Sequence, residues 1–151
     1  MSRLERLLVQ DKLEKRVREI LDYITKASNK IDGKLNLKLV GCNAEAGTIT
    51  MEFPVMDWQL NTNNVMHGGM IATAFDEVLG IFAHYFAEGK AALTSNITVH
   101  YLKPVPKGDS LLITAKIISA GRKVITLSGE GHLKSNGMMT NSAIATFVIA
   151  G

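Results

Sequence analysis

From Met70 to Phe86 the chain reads as a helix with no polar side. Met70, Ile71, Ala74, Phe75, Val78, Leu79, Ile81, Phe82 and Tyr85 cover nearly every angle around its axis. A helix that is apolar all round belongs inside a core. Two carboxylates, Asp76 and Glu77, nevertheless sit in its middle. A buried charge costs on the order of several kcal/mol unless it is paired or hydrogen-bonded. The rest of the chain must enclose this helix and give its acids a partner or a task.

The residues ahead of the helix narrow the task. Asn61, Thr62, Asn63 and Asn64 lead through Val65 and Met66 to His67-Gly68-Gly69. Two glycines at a helix start leave backbone N–H groups uncovered by any side chain. Those groups and the helix dipole favour an anion or a developing oxyanion. Gly-Gly alone would equally suit close packing under a strand. The acid nine residues after His67 is what favours a functional reading.

On either side the pattern changes. Residues 3–29 read as one amphipathic helix, with Leu4, Leu7, Leu8, Leu13, Val17, Ile20, Leu21 and Ile24 near helical spacing. This helix is expected to pack on the edge of the domain or on a partner subunit. After Gly33 the period becomes two. Leu35, Leu37 and Leu39, then Ile49, Met51, Phe53 and Val55, predict a hairpin turning at Glu45-Ala46-Gly47. Beyond Gly89-Lys90 come four strand-like runs, at 92–102, 110–120, 123–134 and 138–149. The short gaps between them predict antiparallel neighbours. The expectation is an α+β domain over 33–151, an antiparallel six-stranded sheet wrapped around one long buried helix. An extra N-terminal helical segment covers 1–32.

Charge and cysteine content exclude several classes. The net charge is +3, and the whole excess lies in residues 1–30, where Tyr23 is the only aromatic. That is a solvated helix face rather than a nucleic-acid patch. The single cysteine, Cys42, rules out an intramolecular disulfide framework. His84, His100 and His132 show no ligand spacing with one another or with Cys42, so no metal and no cofactor is expected. Met1-Ser2-Arg3-Leu4-Glu5-Arg6 does not read as a signal peptide, and no run reads as a membrane span, so the expected setting is the cytosol.

Spacing adds a constraint on any shared site. His67 and Asp76 lie nine residues apart, roughly 13–14 Å along the axis and half a turn out of phase. An amide at Gly68 and the Asp76 carboxylate cannot then meet at one substrate atom within one chain. If both act together, two helices from two subunits must lie antiparallel, as a twofold dimer allows.

The pattern Asn61-x5-His67-Gly68-Gly69-x6-Asp76, followed by Thr94 and by Tyr101-Leu102-Lys103-Pro104, resembles the hotdog-fold acyl-CoA thioesterases. The branch is the one typified by phenylacetyl-CoA thioesterase, and the resemblance covers roughly residues 35–150. It implies hydrolysis of an acyl-CoA to free acid and coenzyme A by a homodimer, or by a dimer of dimers. It also implies roles. The Gly68 N–H polarises the thioester carbonyl, and Asn61 assists or positions the substrate. Asp76 of the other subunit acts as base or nucleophile, and the Thr94 hydroxyl positions water. His67 is read as fixing the loop rather than carrying a proton, and Glu77, about 100° away from Asp76, as structural or a rim residue. An apolar environment around Asp76 is expected to raise its basicity.

Gly69 is a further substrate-binding candidate. Arg122, Lys123 and Lys103, with Lys107 and Lys134, are candidates for the coenzyme A phosphates. Met70, Phe75 and Trp58 are expected in the apolar pocket. Two alternatives use the same fold. One is a non-catalytic acyl-CoA binding or regulatory protein, separated by a thiol-release assay. The other is a dehydratase on hydroxyacyl thioesters, whose proline-containing motif His67-Gly68-Gly69 lacks.

Overall fold

A computed structural model describes residues 1–151. The predicted central helix is α4, Gly68–Ala87, and eleven of its residues are buried, including Phe75, Val78, Leu79, Phe82 and Phe86. By length and composition α4 is long and apolar enough to cross a membrane, contrary to the reading that no run is, but 61% of that window is buried inside the fold. A six-stranded antiparallel sheet curls around it: β1 Lys38–Asn43, β2 Thr48–Pro54, β3 Ala91–Tyr101, β4 Ser110–Ala120, β5 Val124–Leu133 and β6 Met139–Ala150. The inward residues of β2 alternate as the sequence predicts, and those of β4 and β5 alternate likewise, with Ile49, Met51, Phe53, Leu111, Ile113, Ala115, Ile125 and Leu127 all buried. On β5, a Cβ at Gly129 or Gly131 would come within 3.1–3.2 Å of the Phe75 ring. Their bare backbone is what lets α4 settle against the sheet.

The strand order is β1-β2-β4-β5-β6-β3. This corrects the expectation that consecutive runs lie side by side. β3 pairs with β6 at one edge of the sheet, and β4 inserts between β2 and β5. The connection from β3 to β4 carries Pro104 and Pro106 and crosses the helix start, where Met66 N–H donates to the Val105 carbonyl at 2.8 Å. A gap of that length can make a crossover as readily as a hairpin. β1 also starts later than the leucine alternation predicts, because Asn36 adopts φ 52°, a left-handed conformation that interrupts a strand.

The N-terminal helix is divided. α1 spans Arg3–Leu7 and α2 spans Gln10–Thr25, with a break at Leu8-Val9, and α3 covers Ile31–Lys34. The five-residue gap between Leu8 and Leu13 was the trace of that break in the sequence. Leu7, Leu13, Val17 and Ile20 are buried in the same apolar cluster as α4 and the sheet. Polar contacts lock the segment down. Gln10 bridges the Cys42 carbonyl and the Ala44 N–H at 2.7 and 2.8 Å. The Tyr85 hydroxyl donates to the Leu7 carbonyl. Arg3 donates to the Phe86 carbonyl at the end of α4 and to the Ala120 carbonyl, and both Arg3 and Arg6 pair with Glu88.

A core role for α2 has a measurable consequence. Leu13 is fully buried, so Leu13→Ala should lower unfolding free energy by about 2–5 kcal/mol, read by urea denaturation. A loss below about 0.5 kcal/mol, the surface-substitution range, would mean that α2 is not part of the core.

Candidate active site

β3 is the strand that builds the site. It lies along α4 and touches it at two places. At one end the Tyr101 hydroxyl donates to the Gly68 carbonyl at 2.6 Å. Further along, the Thr94 hydroxyl donates to Asp76 Oδ1 at 2.8 Å. Simple alternation would put Thr94 on the opposite face from Ile97, Val99 and Tyr101. Instead the pairing slips: Thr94 faces Phe147, Asn96 faces Thr146, and Ser95 is left over. This bulge resets the alternation and turns Thr94 toward the helix.

The α4 start is arranged around His67. It is the N-cap, and its Nδ1 accepts the Gly69 N–H at 3.0 Å. As an acceptor, Nδ1 is unprotonated, which suits a loop-fixing imidazole. Gly69's amide is thus committed, whereas the Gly68 N–H makes no hydrogen bond within the chain. Asn61 shapes the preceding turn. Its Oδ1 accepts from the Asn63 and Val65 N–H groups at 2.9 and 3.3 Å, leaving its NH2 free to donate elsewhere.

Asp76 is only partly buried, and its surroundings are more polar than expected. It opens onto a cavity of about 720 Å3 between α4, β3, α2 and the Asp32 turn. Glu77 lines the same cavity. Glu77 is also the carboxyl that the site displaces: burial, a hydrogen bond with Asp32, and the charges of Asp32 and Asp76 push it up to about 8. The apolar wall is not built from Met70, Phe75 and Trp58. Phe75 packs fully into the core and Trp58 is half-exposed on the surface beside Met56. The wall comes from Ile20, Tyr23 and Ile24 of α2 and from Ile81, Ala92 and Phe147.

Within one chain the predicted cations do not converge. Lys103 follows β3 at the α4 start, where its N–H donates to the Thr140 carbonyl. Arg122 and Lys123 follow Ala120 and Gly121, whose carbonyls meet Arg3 at the far end of α4. A twenty-residue helix, about 30 Å long, separates the two groups. The cations that do line the cavity are Arg16 and Lys90. Sequence reading passed over them because Arg16 sits on a helix that seemed peripheral. Its signal was a second stripe on α2 at 16, 19, 20, 23 and 24, the spacing of one helix face. No three His, Cys, Asp or Glu side chains are placed to hold a metal ion.

The Glu77 environment predicts a pH dependence of stability. In the unfolded chain Glu77 loses its proton near 4.5, and in the folded protein it holds it up to about 8. The folded state therefore binds more protons within that window, and stability falls as pH rises through it. Glu77→Gln keeps the shape and removes the titration. Its melting temperature should decline less than the wild type's between pH 4.5 and 8. Parallel melting curves for the two proteins would contradict the assignment.

The comparisons agree with this architecture. A family model for the thioesterase superfamily matches residues 63–140, more than half of the chain. Human acyl-coenzyme A thioesterase 13 is 25% identical over 125 residues, covering 82% of this chain and 86% of that protein. A protein of Streptococcus mutans UA159, solved bound to acetyl CoA, superposes with a TM-score of 0.68 at 26% identity, over 77% of this chain and 90% of that one. The E. coli PaaI protein, from the phenylacetic acid degradation operon, shares the fold with a TM-score of 0.72 at 19% identity, over 88% and 95% of the two chains. With six antiparallel strands around one helix and a family model spanning the helix and the three strands that follow it, this chain belongs to the thioesterase superfamily, as a thioester hydrolase of the hotdog fold.

Proposed function

We propose that the chain hydrolyses acyl-CoA thioesters to free acid and coenzyme A, as a homodimer acting in the cytosol. The observation that carries the reading is the 2.8 Å hydrogen bond from Thr94 to Asp76 at the wall of an open cavity. The acetyl CoA bound by the Streptococcus mutans protein and the activity named for the human one support the substrate class.

The chemistry follows from the groups present. The Thr94 hydroxyl spends its proton on Asp76 and keeps lone pairs to accept from a water. Asp76, as general base, takes a proton from that water as its oxygen attacks the thioester carbon. Charge develops on the carbonyl oxygen, and the free Gly68 N–H at the positive end of α4 stabilises it, with the Asn61 NH2 as second donor. The intermediate collapses, the carbon–sulfur bond breaks, and Asp76 returns its proton to the leaving thiolate. A nucleophilic Asp76 would pass through an anhydride instead, with water entering afterwards.

The dimer is part of the proposal. Gly68 and Asp76 are eight residues apart on one helix, about 12 Å along its axis, and contact β3 at different places. The oxyanion donor must then come from a second chain whose α4 runs antiparallel. β3 leaves one edge unpaired, which suits edge-to-edge association of two copies. Leu93, Val148 and Val124 sit in register across β3, β6 and β5, each more than 40% exposed. That apolar outer patch suits a further pairing into a dimer of dimers.

Asp76→Asn should keep the fold and lose on the order of 10² to 10⁴ in turnover, measured by thiol release beside a melting curve. Thr94→Ala should cost less, because it removes a water-holder rather than the base. Near wild-type turnover in a folded Asp76→Asn protein would move the chemistry to another group.

Subunit complementation tests the shared site. Gly68 is the first residue of α4, where proline is well tolerated, and His67 at φ −58°, ψ 138° has the backbone that a following proline needs. Gly68→Pro therefore removes the N–H donor and little else. Mixing it with Asp76→Asn gives mixed dimers with one intact site, expected at up to about half the wild-type rate per mixed dimer. Mixed dimers that form, by tagged pull-down, yet stay silent would refute the shared site.

A further inference from the structure

Glycine is the least favourable helix-interior residue after proline, since it gives up the most conformational freedom. Gly80 nevertheless stands in the middle of α4. Packing does not require it. A Cβ at Gly80 would meet only the Phe147 ring, at 3.6 Å, an ordinary contact. Its φ is not left-handed. The 2.8 Å contact of its carbonyl with His84 Nδ1 is open to any residue. Gly129 and Gly131 are the contrast, because there a Cβ would press on Phe75 at 3.1–3.2 Å.

What Gly80 borders is the cavity. It lies four residues beyond Asp76, so nearly on the same helix face and about 6 Å further along the axis. A thioester held at Asp76 and Thr94 sends two arms away from its carbonyl. The coenzyme A arm carries phosphates and must reach water. The acyl arm needs apolar cover, and that cover begins at Gly80. Phe147 and Ile81 flank it, Ile20 and Ile24 of α2 form the opposite wall, and the charged groups of α2, Asp32 and Lys90 line the rest of the cavity toward solvent. The volume, about 720 Å3, is that of a small-molecule site.

We propose that Gly80 is a specificity-determining residue whose missing side chain holds open an acyl subsite running from Asp76 along α4 to α2, fitted to apolar acyl groups longer than acetyl. The inference rests on the acyl-CoA reading above. It gives the helix glycine a reason that folding does not supply, and it makes the N-terminal segment part of the substrate site.

The test is kcat/KM by thiol release along a straight-chain series from acetyl-CoA to hexadecanoyl-CoA. Wild type, Gly80→Ala and Ile24→Trp are compared, each with a melting curve. Gly80→Ala should melt roughly 2–4 °C higher. Its ratio of long-chain to acetyl kcat/KM should fall about tenfold or more, the scale of a one-carbon misfit in an apolar pocket. Ile24→Trp, at the opposite wall, should shorten the longest acyl group turned over. A lower melting temperature for Gly80→Ala would mean that packing does require the glycine, and would overturn the proposal. So would an even loss along the series, or a chain-length preference unchanged in both variants. A wild type that releases no thiol from any member would remove the acyl-CoA reading itself, and the subsite with it.

Discussion

Enclosing α4 is the constraint on which the structure depends. A helix with Ile71, Phe75, Val78, Leu79, Phe82 and Phe86 buried has no face to offer water. Six antiparallel strands curl around it, and β5 meets it through glycines where the Phe75 ring needs room. Sheet curvature, the crossover from β3 to β4, and the docking of α1 and α2 all answer the same demand. Arg3 closes the far end in place of solvent: its guanidinium donates to the Phe86 carbonyl that α4 leaves unpaired and also ties down Ala120 and Glu88.

Enclosure is incomplete along one side, and the proposed chemistry sits there. β3 is an edge strand, and its inward residues include the polar Thr94 and Tyr101 rather than a run of leucines. The acids of α4 are thereby placed at the seam between a dry core and an open cavity. Asp76 gains a hydroxyl donor, and Glu77, deeper and beside Asp32, keeps its proton toward about 8. A Glu77 that keeps its proton carries no charge into the core. This lets an acid pair exist in so apolar a helix without the full cost of two buried charges.

The ends of α4 are equally distinct. At the start, His67 takes the Gly69 amide and leaves that of Gly68 unpaired, while Tyr101 holds the Gly68 carbonyl. One backbone donor is thus presented at the positive end of the helix dipole. The same helix therefore carries a free backbone donor at its start and carboxyls in its middle, held apart by the rigidity of the helix itself.

Much of this was legible in the sequence, because periodicity and helix geometry are local. The all-round apolar pattern identified the core helix, alternation located five of the six strands, and the glycine pair with an acid nine residues after His67 marked the candidate site. The incompatibility of Gly68 and Asp76 within one chain also follows from rise and phase alone. Other features depended on contacts between distant segments. Strand order is one, since β3 leaves β4 to pair with β6. The bulge at Ser95 is another: it exists only in the register between β3 and β6, and without it Thr94 would face away from Asp76. The cavity is a third. Arg16 and Tyr23 read as the solvated face of a peripheral helix until α2 packs on α4 and brings them to the cavity beside Asp76. A sequence states which residues want burial and which turns are allowed. Which polar groups end up opposite one another is decided by register and packing, which no local pattern encodes.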